Sequence, residues 1–343
     1  MNTLHIDLGR QWRGGQSQAL LLARGLRAEG HGAELVAAEG SPLAARAAAA
    51  GVRVHAAGRA LAPLAIWRLL RAGGFDIVHA HEAHALTAAW LAGAARRSRL
   101  VASRRVAYPL ARHPLARARY RAARIVAVSN FVRESVVASG VPGERVDVVY
   151  DGVELPATPT ARGGARRLGM VGYLLPEKGQ ELAIRALPQV LARHADARLV
   201  VAGDGPCRGA LERLAAELGV AHAVEFRGWV EDVDAVYRSL DAFLFPSLAE
   251  PLGSALLTAM AYGLPAVALA RGAAPEVIED GRDGLLVPGP DAAAFAAAVV
   301  RLLDDAELAA RLGAVARETV ERRFSARAMI EGTLQVYHRL LAC

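Results

Sequence analysis

Short apolar runs alternate with longer stretches of helical periodicity along this chain, and the alternation occurs in two series. The apolar runs of the first series lie at residues 4–8, 33–37, 52–55, 76–80, 100–103, 124–128 and 145–149, and the stretch 16–29 is typical of the helices between them. Strands that alternate with helices form a parallel sheet covered on both faces. Because crossovers are right-handed, this series favours a Rossmann-like layer.

A second series begins after residues 151–164, a stretch with prolines and Gly163-Gly164 but no apolar period. Its apolar runs lie at residues 168–171, 198–202, 224–226, 242–245, 266–269 and 285–287. We therefore predict an α/β protein of two Rossmann-like domains that face each other across a central cleft. The predicted domains are residues 1–155 and residues 165–325, and a linker at 156–164 joins them. We expect residues 326–343 to form a helix that packs back on the N-terminal domain.

The composition indicates a globular cytoplasmic protein. The 343 residues are 53% hydrophobic and include two cysteines, which excludes a disulfide scaffold or a zinc site made of cysteines. No basic segment followed by a long apolar segment opens the chain, and no apolar run approaches the ~20 residues of a membrane span. These features predict a reducing, cytoplasmic location.

Positive charge is concentrated in the first half. Residues 1–160 hold 21 arginines against 11 acids, whereas residues 161–343 hold 20 basic and 23 acidic groups. Residues 96–124 contain ten arginines, and no acid occurs between Glu82 and Glu134. Such a stretch attracts phosphate on a nucleic acid, an anionic membrane or a substrate, or it is a solvated face. Tyr108 and Tyr120 are too few aromatic residues to favour nucleic acid.

Three glycine-containing loops each follow a predicted strand. The loop at 9–16 offers backbone amides to an anion but lacks the dinucleotide fingerprint, which disfavours NAD. The loop at 172–179 contains Lys178, the single lysine among 41 basic residues, and a lysine presents a compact charge to phosphate. In the loop at 246–265, we expect Glu250 to open a helix, with the amides of Gly253 and Ser254 exposed beside it.

In the second half, G-x-L-x-P-E-K-G at 172–179 is followed by V-V-A-G-D-G-P at 200–206 and F-R-G-W-V at 226–230. The Glu250 region and P-E-V-I-E-D-G-x-x-G-L-L-V-P at 275–288 come after them. Together with the glycine loop of the first half, this order resembles glycosyltransferase family 4, whose members have the GT-B fold. The resemblance covers essentially the whole chain, and it implies that residues 1–155 form the acceptor side and residues 165–325 the donor side.

The resemblance implies a retaining, metal-independent transferase that uses a nucleotide diphosphate-sugar and needs no cofactor. Lys178 would hold the distal phosphate of the donor, and Glu250 would contact the transferred sugar. The other implied donor-binding residues are Gly14, Gly15, Tyr173, Trp229, Val230, Gly253, Ser254, Leu256, Leu257 and Thr258.

The chain departs from the family pattern at three places. Tyr173 replaces the usual arginine, and Thr258 replaces the second glutamate of the E-x7-E motif, which usually binds ribose. Ser103-Arg104-Arg105 stands where the family has a histidine near the acceptor. Arg104 or Arg105 would supply the cation that is lost at Tyr173, and Arg105 is predicted as the catalytic one. We place His81, Glu82 and Arg104 on the acceptor side. The cluster of His79, His81, Glu82 and His84 is only a weak metal signal, and a structural role is equally plausible for His79 and His84.

The sequence therefore predicts a hexosyltransferase-like enzyme that moves a sugar, UDP- or GDP-linked, to a glycan or lipid of the cell envelope, of the lipopolysaccharide or polysaccharide type. No enzyme nucleophile is well placed for a double displacement, and the resemblance to the family implies attack from the leaving-group face. The expected partners are the donor, a glycan or lipid-linked acceptor and an anionic membrane surface, but no nucleic acid. A catalytically silent GT-B module and an anionic-surface binding protein remain the alternatives.

Overall fold

The computed structural model describes residues 1–110, 113–160 and 166–342, which form two compact units. Unit 1 comprises Met1–Gly152 and the chain from Ala326 onward, and unit 2 comprises Val153–Ser325. The chain therefore passes from one unit to the other at Gly152, three residues before the end of the predicted N-terminal domain. Residues 161–164 of the predicted linker lie outside the described residues.

Unit 1 is built on a seven-stranded parallel sheet with the order β3-β2-β1-β4-β5-β6-β7. Its strands are β1 (Asn2–Asp7), β2 (Gly32–Ala38), β3 (Arg53–Ala57), β4 (Ile77–Ala80), β5 (Arg99–Arg104), β6 (Arg124–Ala127) and β7 (Val146–Val148). Its first six helices are α1 (Gly14–Ala28), α2 (Pro42–Ala49), α3 (Ala62–Ala72), α4 (Ala83–Leu91), α5 (Pro114–Ala122) and α6 (Asn130–Ala138).

The core of unit 1 includes a helix that is distant in sequence. Helix α14 (Ala326–Ala342) packs against α1, and its side chains Met329, Val336 and Tyr337 are buried with Leu22 and Leu26 of α1. The apolar spacing of both helices places these residues on one face, which burial then stabilises. The sheet of unit 1 is thus covered partly by residues that follow the whole of unit 2.

Unit 2 has a six-stranded parallel sheet with the order β10-β9-β8-β11-β12-β13. Its strands are β8 (Arg167–Val171), β9 (Arg198–Ala202), β10 (Val224–Gly228), β11 (Ala242–Phe245), β12 (Ala266–Leu269) and β13 (Leu285–Val287). Its helices are α7 (Gln180–Arg193), α8 (Arg208–Glu217), α9 (Val233–Arg238), α10 (Ser254–Ala261), α11 (Ala274–Val277), α12 (Ala292–Asp304) and α13 (Ala306–Arg323).

Both sheets confirm the predicted fold class, since each has the strand order of a Rossmann-like layer. In each unit the order reverses between two central strands, β1 and β4 in unit 1 and β8 and β11 in unit 2. Ligands of open α/β sheets bind at the carboxyl ends of the strands at such a reversal. Within the described ranges, no helix is both long enough and apolar enough to cross a membrane.

Candidate functional site

Two loops meet at the strand reversal of unit 2. The first follows β8 and ends at Gly179, which precedes α7, and the second follows β11 and ends at Gly253, which precedes α10. The amide of Leu248 in the second loop donates to the carbonyl of Glu177 in the first, at 2.8 Å. The two loops are therefore joined through their backbones.

Gly179 allows the two loops to approach this closely. Its φ of 69° lies in the left-handed region, and a Cβ atom there would lie 2.0 Å from the carbonyl oxygen of Pro246. A real carbon cannot occupy that distance, so any larger residue would separate the loops. The glycine after Lys178 is thus required by geometry.

This packing brings together the two residues on which the sequence analysis depends most. Lys178 Nζ lies 2.5 Å from Glu250 Oε2, and the two side chains are 30% and 14% exposed. A compact cation and a carboxylate therefore stand side by side, partly open to solvent, at the carboxyl ends of β8 and β11. Such a pair can offer positive charge to a phosphate and an acceptor oxygen to a hydroxyl.

The expectation that Glu250 opens a helix is wrong. Helix α10 begins at Ser254, after Gly253 with a φ of 97°, so Glu250 lies in the preceding loop. The backbone of Glu250 is fixed there because its carbonyl accepts from the amide of Ala273 at 3.0 Å. Its carboxylate is thus held by the loop and the lysine, not by the dipole of α10.

Of the two leucines implied to bind the donor, Leu256 and Leu257, only Leu256 has a backbone amide that the helix leaves unbonded. The first bond of the helix runs from the amide of Leu257 to the carbonyl of Gly253, at 3.0 Å. The amides of Ser254, Ala255 and Leu256 precede that bond and lack a partner within the helix, as at every helix start. The Leu256 amide can therefore meet a ligand, whereas the Leu257 amide is used by the helix.

The other predicted donor-binding residues of unit 2 differ in how accessible they are to a ligand. Tyr173 and Trp229 are 50% and 71% exposed, and Val230 is half-buried. The hydroxyl of Thr258 donates to the carbonyl of Ser254 one helical turn earlier, at 2.9 Å. That bond uses the only proton of the hydroxyl, so Thr258 cannot donate to a ligand in this conformation.

In unit 1, a buried carboxylate organises the loop after β1. Asp7 accepts hydrogen bonds from the amide of Gly9 at 2.9 Å and from the Gln16 side chain at 3.0 Å, and so joins the two ends of the loop. A Cβ atom on Gly9 would lie 2.5 Å from the Gln16 nitrogen. The sequence analysis missed both Asp7 and Gln16, although an acid ending a buried strand was a usable signal.

The loop ends at Gly14 and Gly15, the first residues of α1. The first helical bond of α1 is donated by Ser17 to the carbonyl of Arg13, so the amides of Gly14, Gly15 and Gln16 precede the ladder. A Cβ atom on Gly15 would lie 4.0 Å from Cδ of Arg105. Arg105 therefore passes beside the N-terminus of α1.

Arg105 is held by two other residues of unit 1. Its Nε lies 2.9 Å and 3.1 Å from the two carboxylate oxygens of Asp151, and both side chains are 14% exposed. Its Nη1 lies 3.4 Å from Nδ1 of His81. Burial raises the pKa of the Asp151 carboxyl, and the neighbouring Arg105 opposes that rise.

His81 belongs to a cluster of three buried histidines, with His5 and His79. Burial lowers the pKa of His5 to about 3 and holds the pKa of His79 and His81 well below the usual value. The imidazoles are therefore neutral at pH 7. Neutral imidazoles are ligands for metals, but such a site also needs the nitrogen lone pairs of several rings to converge.

One nitrogen of each ring lies within 4.8 Å of the other two, as a metal site needs, but the orientation of the rings opposes a common ion. His79 stacks on His81, with centroids 4.3 Å apart and planes inclined by 26°. His79 bonds through Nδ1 to the Tyr337 hydroxyl at 2.6 Å and through Nε2 to the Ser103 hydroxyl at 2.8 Å. Because lone pairs lie in the ring plane, stacked rings cannot direct theirs at one ion.

The predicted acceptor-side residues have structural contacts. Glu82 is the N-cap of α4 and accepts from the amides of His84 and Ala85, both at 2.6 Å. Arg104 is 6% exposed, and its Nη2 donates to the carbonyl of Tyr108 at 2.5 Å. With His81 buried as well, these contacts favour a structural role, and a direct acceptor contact stays a prediction.

Some arginines of the arginine-rich stretch are bonded within unit 1, and others are exposed. Arg104, Arg105 and Arg124 are bonded within unit 1, the last to Asp147 at 2.6 Å. Arg117 and Arg121 are exposed one turn apart on α5, whereas Arg119 is directed at the hydroxyl of Thr87. Arg112 lies outside the described residues. Fewer arginines therefore contribute to an exposed basic face than the ten in residues 96–124 would suggest.

Comparison with known proteins identifies the family of the chain. Residues 165–305 match the model described as Glycosyl transferases group 1, and residues 12–156 match Glycosyltransferase Family 4. The chain is 33% identical, over 323 residues, to D-inositol 3-phosphate glycosyltransferase of Acidothermus cellulolyticus, an alignment that covers 79% of this chain and 68% of that protein. The chain belongs to glycosyltransferase family 4, as its motifs predict.

Other relatives match over shorter lengths. A GDP-mannose-dependent alpha-(1-6)-phosphatidylinositol monomannoside mannosyltransferase of Mycolicibacterium smegmatis is 34% identical, with 56% of each chain covered. The lipopolysaccharide core biosynthesis glycosyltransferase LpsE of Rhizobium meliloti is 34% identical, with 48% of each chain covered. The chain thus spans about half the length of these two relatives.

Among solved structures, HepE of Anabaena in complex with UDP and glucose has a TM-score of 0.83 at 20% identity, with 98% of this chain and 99% of that chain covered. The galactosyltransferase WaaB of the lipopolysaccharide outer core, in its apo form, has a TM-score of 0.77 at 18% identity, with 98% and 100% covered. At these identities the likeness establishes the fold, which is of the GT-B class.

Proposed function

We propose that this protein is a retaining glycosyltransferase that moves a sugar from a nucleotide diphosphate-sugar to a glycan or lipid of the cell envelope. The observation that carries the proposal is the contact of Lys178 with Glu250 at the strand reversal of unit 2, 2.5 Å from nitrogen to oxygen. A phosphate-binding cation and a sugar-binding carboxylate are the two groups that the resemblance requires there. Membership of the family supports the same reaction.

The donor is proposed to carry UDP or GDP. HepE was crystallised with UDP and glucose, and the mycolicibacterial relative uses GDP-mannose, so both bases occur among proteins similar to this one. Lys178 would neutralise charge that develops on the diphosphate as the glycosidic bond breaks. Glu250 would accept a hydrogen bond from a hydroxyl of the transferred sugar.

In unit 1, Arg105 and the amides of Gly14 and Gly15 are proposed as further contacts for phosphate. A fixed guanidinium beside a helix N-terminus is a favourable anion site because the amides and the helix dipole add to the charge. These groups would supply the stabilisation that a metal ion supplies in other transferases, so we propose metal-independent chemistry. The acceptor oxygen would attack the anomeric carbon from the leaving-group face, and its proton would pass to the departing phosphate oxygen.

The proposed acceptor is a lipid-linked or membrane-bound glycan, and unit 1 would dock on the membrane. Helix α3 packs against α4, which packs against α5, so the three form one layer. On α3, Leu64 and Trp67 are exposed beside exposed Arg68 and Arg71, and α5 exposes Arg117 and Arg121. Aromatic and aliphatic side chains mixed with arginine suit the interface of an anionic bilayer.

The family relatives are consistent with such an acceptor. The matching proteins named above include one that acts on a phosphatidylinositol mannoside and one of lipopolysaccharide core biosynthesis. A cytoplasmic protein that binds the inner face of the membrane reversibly would reach acceptors of this kind.

A catalytically silent GT-B module is the second candidate, because Tyr173 and Thr258 replace two donor-binding residues and the Thr258 hydroxyl is already bonded. A thermal-shift series with UDP, GDP, ADP and CMP separates the candidates, followed by an assay for nucleoside diphosphate released from the matching sugar donors. An active enzyme is stabilised by one diphosphate and releases it. A silent module is stabilised but releases none, and no stabilisation by any nucleotide contradicts both candidates.

A further inference from the structure

A continuous chain of hydrogen bonds crosses the interior of unit 1 and ends on Arg105. Thr3 and His5 lie on β1, His81 follows β4, and Arg105 follows β5. The Thr3 hydroxyl bonds to the carbonyl of Gly32 at 3.0 Å and to Nε2 of His5 at 2.9 Å. Nδ1 of His5 lies 2.9 Å from Nε2 of His81, and Nδ1 of His81 lies 3.4 Å from Nη1 of Arg105.

The arginine end of the chain fixes the position of each proton. A guanidinium has only donors, so Nδ1 of His81 must accept, and the proton of a neutral His81 must sit on Nε2. That Nε2–H donates to Nδ1 of His5, which leaves the proton of His5 on its own Nε2. The His5 Nε2–H then donates to the Thr3 hydroxyl oxygen.

The opposite end gives the same answer independently. The carbonyl of Gly32 can only accept, so the Thr3 hydroxyl must donate to it and offer its oxygen to His5. His5 and His81 also have the alignment that such a bond needs. Their planes differ by 22° with centroids 5.2 Å apart, so the rings meet edge to edge. Every bond thus runs in one direction with both imidazoles neutral.

Protonation of either ring would break this order. A second proton on His5 would place two N–H groups against each other, and a second proton on His81 would face the guanidinium. Other groups facing the chain are Asp151, which holds Arg105, and His79, which is stacked on His81 and bonded to Ser103 and Tyr337. Burial holds the pKa of both rings of the chain low, which maintains the neutral state.

The remaining contacts of Arg105 show what the chain orients. Asp151 takes Nε and His81 takes Nη1, and Nη2 has no hydrogen-bond partner among the residues that the structure describes. The side chain runs past Gly15 at the start of α1. Two of the three guanidinium nitrogens are thus used to set its plane, and the third remains to bind a ligand.

We propose that His81, itself oriented by His5, is a positioning residue that fixes the plane of the Arg105 guanidinium for contact with a phosphate of the substrate. The inference rests on the proposed function, in which Arg105 binds phosphate. It adds His5 to the site and gives His81, predicted above as an acceptor-side residue, a positioning role. It also assigns each ring a single tautomer with the proton on Nε2.

His79 provides the matched control. It is as deeply buried as its two neighbours, lies on β4 and stacks on His81, but its nitrogens bond to Ser103 and Tyr337 and do not enter the chain. A loss of packing alone would affect His79 and His81 variants alike. A positioning role affects only the residues of the chain.

The kinetic test compares His81→Leu, His81→Asn and His79→Leu, each in the wild-type protein and in Arg105→Ala. His81→Leu should lower kcat by between about 10-fold and 100-fold. His81→Asn should recover part of that loss, because its amide oxygen can accept from Arg105. His79→Leu should change kcat by less than about 3-fold. In the Arg105→Ala protein, His81→Leu should have no further effect, since coupled residues are not additive. Equal losses for His79 and His81, or an undiminished His81 effect without Arg105, would overturn the proposal.

A spectroscopic test does not depend on turnover. Nitrogen-15 NMR of the histidine-labelled protein should show His5 and His81 as neutral tautomers protonated at Nε2, and Arg105→Ala should perturb His81 but not His79. A proton on Nδ1 of either ring contradicts the chain. If the tautomers are as expected but Arg105→Ala turns over normally, the chain exists without the positioning role, and the proposal fails. If the wild-type protein transfers no sugar while the tautomers are as expected, the proposed function fails and the hydrogen-bond chain stands.

Discussion

Nζ of Lys178 and Oε2 of Glu250 lie 2.5 Å apart, although 72 residues separate them in the chain. The contact exists because the loop after β8 and the loop after β11 are joined at the strand reversal, through the bond from Leu248 to Glu177. If Lys178 binds a phosphate of the donor, as we propose, that phosphate has to compete with, or join, the ion pair between these two residues.

Replacement of Lys178 should remove most activity. Lys178→Ala is expected to lower turnover by about 100-fold or more, the cost of losing one preorganised contact to a developing anion. Lys178→Arg should fail substantially as well, because a planar fork does not fit a site shaped for a point charge. The measurement is release of nucleoside diphosphate under saturating donor. Arg213→Ala on α8 is the control for loss of a cation, and unchanged rates in both Lys178 variants would remove this residue from the mechanism.

Glu250→Gln should separate catalysis from nucleotide binding. Turnover should fall because the contact to the sugar is weakened, whereas affinity for bare UDP or GDP should stay the same or rise, since Lys178 loses its competing carboxylate. The double variant Lys178→Ala/Glu250→Gln should bind the diphosphate better than Lys178→Ala, which leaves a carboxylate facing phosphate. Calorimetric titration checks both statements. A collapse of affinity in Glu250→Gln would make Glu250 a ribose ligand or a structural residue.

Thr258→Glu should tighten nucleotide binding. The hydroxyl of Thr258 is engaged by its own helix, whereas a glutamate there would offer two acceptor oxygens to ribose. A hydrogen bond to a charged group contributes about 1.5–3 kcal/mol, so affinity for UDP or GDP should rise about 10-fold or more. Thr258→Gln, which has the same length without the charge, should give a smaller gain. No gain in either variant would place the ribose elsewhere.

Acid should destabilise unit 1 through its three buried histidines. Their pKa is lowered by burial, so below pH ~6.5 the unfolded chain binds protons that the native protein does not. Stability is therefore lost as pH falls, by up to about 1.4 kcal/mol per histidine and pH unit. Urea unfolding between about pH 7.5 and pH 5.5 should show this slope, and His79→Gln should make it shallower.

Membrane binding should depend on exposed arginines of α3 and α5. Charge reversal at Arg68, Arg71, Arg117 and Arg121 should abolish co-sedimentation with anionic liposomes and leave release of nucleotide from the donor intact, because each basic group near the surface contributes about 1 kcal/mol. Charge reversal at Arg185 and Arg193 of α7 is the control. Binding that is equal for anionic and neutral liposomes, or that survives reversal, contradicts a role for these arginines.

The sequence predicted the strands of both sheets closely, because strands buried on both faces are continuous apolar runs. Residues 242–245, 266–269 and 285–287 coincide with β11, β12 and β13. Lys178 was singled out by composition alone, since it is the single lysine of the chain. Both features can be read from the sequence without knowledge of contacts between distant residues.

Contacts between residues that are distant in the chain could not be predicted from the sequence. Nothing near Glu250 in the chain indicates that a glycine after Lys178 would fit against Pro246 and bring the two side chains into contact. Arg104 was predicted as an acceptor contact by its place in the family pattern, yet it is buried against Tyr108. The tautomers of His5 and His81 depend on hydrogen-bond partners from four separate segments of the chain. They can be deduced only once the packing of the sheet is known.

Helix α14 has a consequence for the order in which the protein is made. Its residues Met329, Val336 and Tyr337 complete the core around α1, and Tyr337 bonds to His79 on β4. A ribosome synthesises all of unit 2 before it synthesises α14. Unit 2, second in the chain, has its whole core in one continuous segment and can finish folding first. Until α14 is synthesised, part of the apolar surface of unit 1 stays exposed. During this interval unit 1 is most prone to aggregation and most dependent on chaperones.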